Sequence, residues 1–409
     1  MSTLKVDAIR HNSATSDAIT TAADGTCTAK ITGMTGGGAL SHRNLIVNGA
    51  MNVAQRGQVT GIGHASGGAG AGFGGPDRFQ FNSNYSIVTM SQSTDVPSGQ
   101  GFAKSLKLDV TTAGGDSNAD TYTQLDYRFE GQELTRLKYG TSNAETTTLC
   151  FWIKSPKAGT HWVRLYGDEL SHSGGGAAFI SRKYTVSSAN TWQKVTLNFP
   201  GFTTDGFDND NTLGMRISIY FAQGSAYSSG TAQADDGGWL NWGDVNDRAR
   251  NTVGQVNCFD STSNDIFITG VQFEVGDTAT SFEFRNVGEE LSRCQRYFYM
   301  CADGTRGKSG TNRAPICTGA MYNASNFNGV VNFPVEMRTT PSLYKVVGSG
   351  YFRIWGNGGS DGCNDVVLEG SSPQCGIANI YDGLSQTSGS ATWATTDNAA
   401  CRLGFQAEL

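Results

Sequence analysis

Cationic charge is scarce in this 409-residue chain: Lys and Arg number 30 against 36 Asp and Glu, and charged residues make up only 16%. The net charge of −6 excludes nucleic acid as the main partner, because phosphate recognition needs clustered cations. Pro is scarce too, at 8, which excludes a Pro-rich disordered tether. No apolar run approaches the ~20 residues that span a bilayer, and the opening MSTLKVDAIR lacks an apolar signal core. The expectation is a soluble chain with no membrane insertion, made in the cytoplasm without a signal peptide. The nine Cys include no CxxC pair, so neither a zinc site nor a disulfide frame is indicated, and they read as small buried hydrophobes. The five His are scattered, with no HExxH pair, and the chain is not read as an enzyme.

What the chain has is Gly, at 54, together with 21 Phe, 14 Tyr and 7 Trp. Length suggests two or three domains, and the aromatic residues suffice for a real core. Helix formers are sparse while Thr, Ser, Asn and Gly abound, so the expected fold class is all-β. Residues 1–43 form a separate segment, with two short β-prone stretches around Asp24-Gly25 and a joint at Gly36, Gly37 and Gly38. It carries too little apolar area to fold alone, so it must dock on another protein or on copies of itself.

From Asn44 onward, apolar residues alternate: Phe79 and Phe81, Leu106 to Val110, Leu125 to Phe129, Val195 to Phe199, Met215 to Phe221, and Val271 to Val275. That period of two predicts a β-sandwich or jelly roll over 44–285, with the Gly-rich run 61–75 as a surface loop. Val287, Leu291, Cys294 and Phe298 share one helical face, which predicts a junction helix over 286–299. Short strands then return over 300–409 as a second, smaller β domain. They are expected at Gly329–Pro334, Leu343–Val347, Tyr351–Trp355, Asp365–Leu368 and Arg402–Leu409.

Several blocks carry a resemblance: MSTLKVDAI, NLIVNGAMNVAQRG with Pro76-Asp-Arg-Phe79, ITGVQFEVG from Ile268, the stretch from Phe282 to Phe298, and Phe333 to Ser342. Together they resemble tail fibre and other virion fibre proteins of tailed bacteriophages, of the marine and cyanobacterial type. The central block is similar to a carbohydrate-binding jelly roll. The resemblance implies a virion structural protein, commonly a homotrimer, attached to the phage tail or another virion protein through residues 1–43. Its distal domains would then act as a host-attachment adhesin for cell-surface polysaccharide. A head-attached fibre or capsid decoration protein is the alternative of the same class, and a tailspike-type glycan depolymerase is the alternative from another.

Sugar sites set aromatic faces against C–H surfaces and use Asp, Asn or Arg for hydroxyls. Asp235, Asp236, Trp239, Asn241 and Trp242 fall within eight residues and form the first candidate. Trp355 with Asn357 and Asp361 is the second, and Trp393 a third, whereas Trp152, Trp162 and Trp192 sit in strand-like runs and read as core. Asp205, Asp208 and Asp210 concentrate hard oxygen ligands on one loop and are the candidate site for a structural calcium ion, although an Asx-rich turn explains the same residues. Ala302 to Ser309 formally matches a relaxed phosphate loop, but no strand–loop–helix context surrounds it, so it reads as a turn.

Overall fold

The computed structural model describes residues 6–10, 15, 18–21, 23, 27–29 and 42–409, except 69, 117, 309, 357 and 358. The chain is all-β. Near the N-terminus, Ala8–Ile9, Ile19–Thr21 and Cys27–Ala29 form a small antiparallel sheet. Asp24, Gly25 and the Gly36–Gly38 joint lie outside the described residues.

Two antiparallel sheets then make a sandwich of the jelly-roll class. One orders Trp192–Phe199, Thr147–Lys154, Asp265–Val275, Ser105–Thr112, Ile87–Ser93 and Val59–Gly63. The other orders Leu240–Asn241, Ala177–Val186, Gly159–Ser171, Leu213–Gln223, Tyr122–Glu130, Phe79–Ser83 and Ala71–Phe73. Alternating side chains from both sheets meet between them. Phe129 lies 5.7 Å from Phe273 across the gap, and Phe151 lies 5.5 Å from Tyr184. Each such side chain contributes about 1.5–3 kcal/mol on burial.

The Gly-rich run is not simply a loop. Val59–Gly63 and Ala71–Phe73 are edge strands, paired with Ile87–Ser93 and Phe79–Ser83. Gly63, at φ +115°, shows why: a Cβ there would collide with the Ser86 carbonyl. Glycine here serves close backbone approach, which composition alone does not distinguish from a loop.

The junction helix runs Val287–Gln295, capped by the Asn286 side chain accepting from Gly288 N at 2.8 Å. Leu291 and Cys294 pack on Val47 and Val53. Val287 is 56% exposed, and Phe298 belongs to the next strand, so the predicted apolar stripe is shorter than expected. The C-terminal domain has a three-stranded sheet of Phe298–Asp303, Arg402–Gln406 and Ser342–Val346. Its seven-stranded sheet orders Gly359–Cys363, Phe352–Gly356, Ala391–Thr396, Pro315–Asn323, Asn326–Asn332, Cys375–Tyr381 and Asp365–Ser371. All eight cysteines with described side chains are free. No helix among the described residues is long and apolar enough to cross a membrane.

Two buried groups tie this fold to pH in opposite directions. His161 is fully buried, stacked on Tyr184 at 5.3 Å, with Nε2 3.2 Å from the Lys157 carbonyl. Burial pushes its imidazole down to about 4. Its stabilising contribution is complete above the ordinary value of about 6.5 and is lost as pH falls toward 4, because only the unfolded chain takes the proton. Asp77, raised to about 6 by burial, acts in the opposite direction: its contribution is present below its ordinary value and is lost as pH rises through 6. Denaturant midpoints of wild type and His161→Phe should therefore diverge between pH 4 and 6.5, the variant losing less stability in acid. Parallel curves would contradict the assignment.

Candidate functional site

Trp239 and Trp242 come from one segment but are not brought together as one platform. The Trp239 ring packs on Phe202 at 5.2 Å and Tyr139 at 5.9 Å, and its Nε1 donates to the Pro200 carbonyl at 3.0 Å. It anchors the loop to the sandwich core. Trp242 instead stacks on Tyr227 at 5.9 Å, meets Tyr166 and Phe179 edge-on, and lies 4.6 Å from the Arg164 guanidinium. Asn241 is buried and spends its Oδ1 on Gly243 N at 2.8 Å. Asp235 and Asp236 are exposed, the former 3.5 Å from Lys183. Trp239→Phe removes the bond to Pro200 and should cost about 1–3 kcal/mol while leaving glycan binding unchanged. Unchanged stability with weakened glycan binding would make Trp239 a ligand platform after all.

Two of the three loop aspartates, Asp205 and Asp210, bond backbone N–H groups with their carboxylates. Asp205 accepts from Ser171 N at 2.8 Å and from Gly206 N at 2.9 Å. Asp210 accepts from Thr212 N at 2.8 Å, and Asp208 N donates to Glu169 at 3.0 Å. Among the described residues, no group of three or more His, Cys, Asp or Glu could hold a metal. The Asp210 contact to Thr212 N is an Asx turn. Around the phosphate-loop match, Gly304–Arg306 is a short 3-10 turn led by Asp303, whose Oδ1 accepts from Thr305 N at 2.9 Å. Ser309 lies outside the described residues.

Trp355 and Trp393 do come together. They are opposite one another on adjacent strands, so they project from the same face of the C-terminal seven-stranded sheet. Their rings are parallel within 8° at 6.0 Å, and Trp393 is 49% exposed. The Arg313 guanidinium lies 4.7 Å from the Trp355 ring and Arg353 lies 5.8 Å from it. Both arginines bond Asp397, at 2.9 and 2.7 Å. Burial alone would raise the Asp397 carboxyl, but these two bonds hold it below its usual range. Thr318 stands opposite Trp393 and Ser360 opposite Trp355, which places hydroxyls beside both rings. Exposed Val330 and Ile377 continue the face.

Asp361 is not part of that face: it pairs with the buried Ile354 and accepts from Ser385 N and Gln386 Nε2, pinning a loop. Asn357 lies outside the described residues. Gly358 to Gly362 matches G-x-S-x-G in sequence, but a nucleophile elbow needs a strand-to-helix turn. Ser360 sits within a strand, 3.2 Å from Arg353 Nη1.

Of the tryptophans read as core, Trp162 is 1% exposed, but Trp152 and Trp192 are only half-buried. Trp152 lines a cavity of about 280 Å³ on the outer side of the six-stranded sheet with Phe102, Phe282, Lys194 and Gln272. Alternation could have found it, since Phe151 and Ile153 take the inward positions.

No family model matches the chain, and no curated protein matches it. Among solved structures, a domain of tailspike protein 4 of bacteriophage CBA120 is similar at 13% identity, covering 57% of this chain and 21% of that one, with a TM-score of 0.27. The CBM22-1 xylan-binding domain from Paenibacillus barcinonensis is similar at 9% identity, over 59% of this chain and 100% of its own, with a TM-score of 0.27. A family 11 carbohydrate-binding module from Clostridium thermocellum is similar at 17% identity, over 50% and 91%, with a TM-score of 0.23. The chain thus spans about a fifth of the tailspike domain. Superpositions this loose carry no argument about function.

Proposed function

We propose that the protein is a virion fibre subunit that holds the host surface by binding glycan, with the Trp355–Trp393 face of the C-terminal domain as its contact. The observation that carries the binding reading is the pair of parallel tryptophans, one half exposed, on a sheet face that also offers hydroxyls and arginines. Exposed aromatic surface of this kind is unusual without a partner, and sugar C–H faces suit it. The fibre role is supported by the sequence blocks that resemble phage fibre proteins. On this reading residues 1–43 join the particle and three copies assemble in parallel. Three tethered sites raise avidity over weak single sugar contacts. The protein binds and does not cleave. Incubating purified protein with surface polysaccharide of a susceptible bacterium should give bound complex and no new reducing ends. Release of oligosaccharides would establish a depolymerase instead.

A further inference from the structure

We infer that the cleft between the two domains is a second binding site, one that takes a carboxylated sugar. The cleft encloses about 490 Å³, within the range of small-molecule sites. Residues from both domains line it, among them Arg56, Phe73, Gln80, Arg338, Tyr344 and Glu408.

Two of these hold unspent hydrogen-bonding capacity. The Arg56 side chain is only 2% exposed and spends Nη1 on Glu408 at 3.2 Å, while its Nη2 has no partner among the described residues. Gln80 is 7% exposed, and its Oε1 likewise has no partner. A buried donor and a buried acceptor left unmade are costly to folding, and rules of polar satisfaction are broken most often at functional sites.

Charge fixes the ligand class. Both Glu408 oxygens are taken, by Arg56 and by Arg78. Arg338 donates to the carbonyls of Asn211, Ala407 and Glu408, and none of these bonds goes to a carboxylate. The lining therefore keeps an excess of positive charge, which favours a carboxylate. Gln80 Oε1 would accept from a hydroxyl, and the Phe73 and Tyr344 rings offer faces to sugar C–H groups. A uronic acid unit meets all three demands. This site is separate from the Trp355–Trp393 face and stands without it.

Titration of the full-length protein with D-glucuronate, D-galacturonate, glucose and acetate tests the inference. A uronate should bind at millimolar concentration or tighter, and more tightly than glucose or acetate. Gln80→Leu removes an amide whose Oε1 is an unspent acceptor, so its melting temperature should hold or rise while uronate affinity falls at least about tenfold. Trp393→Ala should bind uronate as wild type does. No uronate binding by wild type, acetate binding as tightly as uronate, or unchanged affinity in Gln80→Leu would overturn the inference. Loss of uronate binding in Trp393→Ala alone would do the same, since it would place the sugar on the other face.

Discussion

Alanine at Glu408 is expected to cost about 3–5 kcal/mol of folding stability, the range for removing one partner from a buried ion pair. This carboxylate, next to the end of the chain, bridges two arginines of the sandwich. Its oxygens lie 3.2 Å from Arg56 Nη1 and 2.9 Å from Arg78 Nη1, and those side chains are only 2% and 1% exposed. Aromatic rings hold both guanidinium groups in place: Phe298 at 3.5 Å from Arg56, and Tyr297 at 3.3 Å and Tyr127 at 5.2 Å from Arg78. Removing the carboxylate leaves two largely buried guanidinium groups without their shared counter-charge. Neighbouring bonds depend on the same alignment: Gln55 Nε2 donates to the Phe298 carbonyl at 2.6 Å, and Arg296 Nε donates to Glu130 at 2.7 Å. The triple variant Arg56→Met, Arg78→Met, Glu408→Leu should recover most of the loss, because apolar replacement of a whole buried ionic group is often near neutral. Denaturant unfolding reads both. A loss below ~1 kcal/mol in Glu408→Ala would mean the group is solvated and contributes little.

Trp393→Ala should abolish detectable attachment to host cells, a loss of at least about a hundredfold, with a melting temperature within a degree or two of wild type. Interface aromatics of this kind often carry ≥ 2 kcal/mol each, and in the proposed trimer three linked copies would multiply the deficit. Stability should hold because Trp393 is 49% exposed and projects away from the core formed by Phe352, Ile354 and Ala394. Trp355→Ala should weaken attachment too, but with some destabilisation, since its Nε1 bonds Thr395 at 3.2 Å and its ring lies beside Arg313. Attachment unchanged in Trp393→Ala would remove this face from the account.

The sandwich was legible because its strands alternate cleanly. Phe79, Phe81, Leu106, Leu108, Leu125 and Phe129 all lie within 2% of full burial. The C-terminal domain was legible only in part. Strands such as Pro315–Asn323 and Cys375–Tyr381 were not anticipated, because Cys, Gly, Thr and Asn fill many of their positions and blunt the period. The tryptophan pair was half visible: Trp355 and Trp393 each stood out, but they lie 38 positions apart and only strand pairing makes them neighbours. The Trp239–Trp242 cluster misled for the converse reason. Nearness in sequence does not fix facing, and the two rings turn toward different partners. Blocks that carried the resemblance hold contacts inside the sandwich and from it to the junction helix and the C-terminal domain. Asn44 and Asn48 bind Glu283 and Glu290, Gln55 binds Asp77 at 2.7 Å, and Arg78 reaches Glu408.

Labelling the seven tryptophans with 5-fluorotryptophan and following their fluorine resonances during titration with host surface polysaccharide tests the central claim most directly. Each resonance is assigned by substitution. The account predicts that the Trp393 and Trp355 signals shift together and saturably while buried Trp162 and core-anchored Trp239 stay still. Shifts confined to Trp242 or Trp152, or none at any ring, would contradict it.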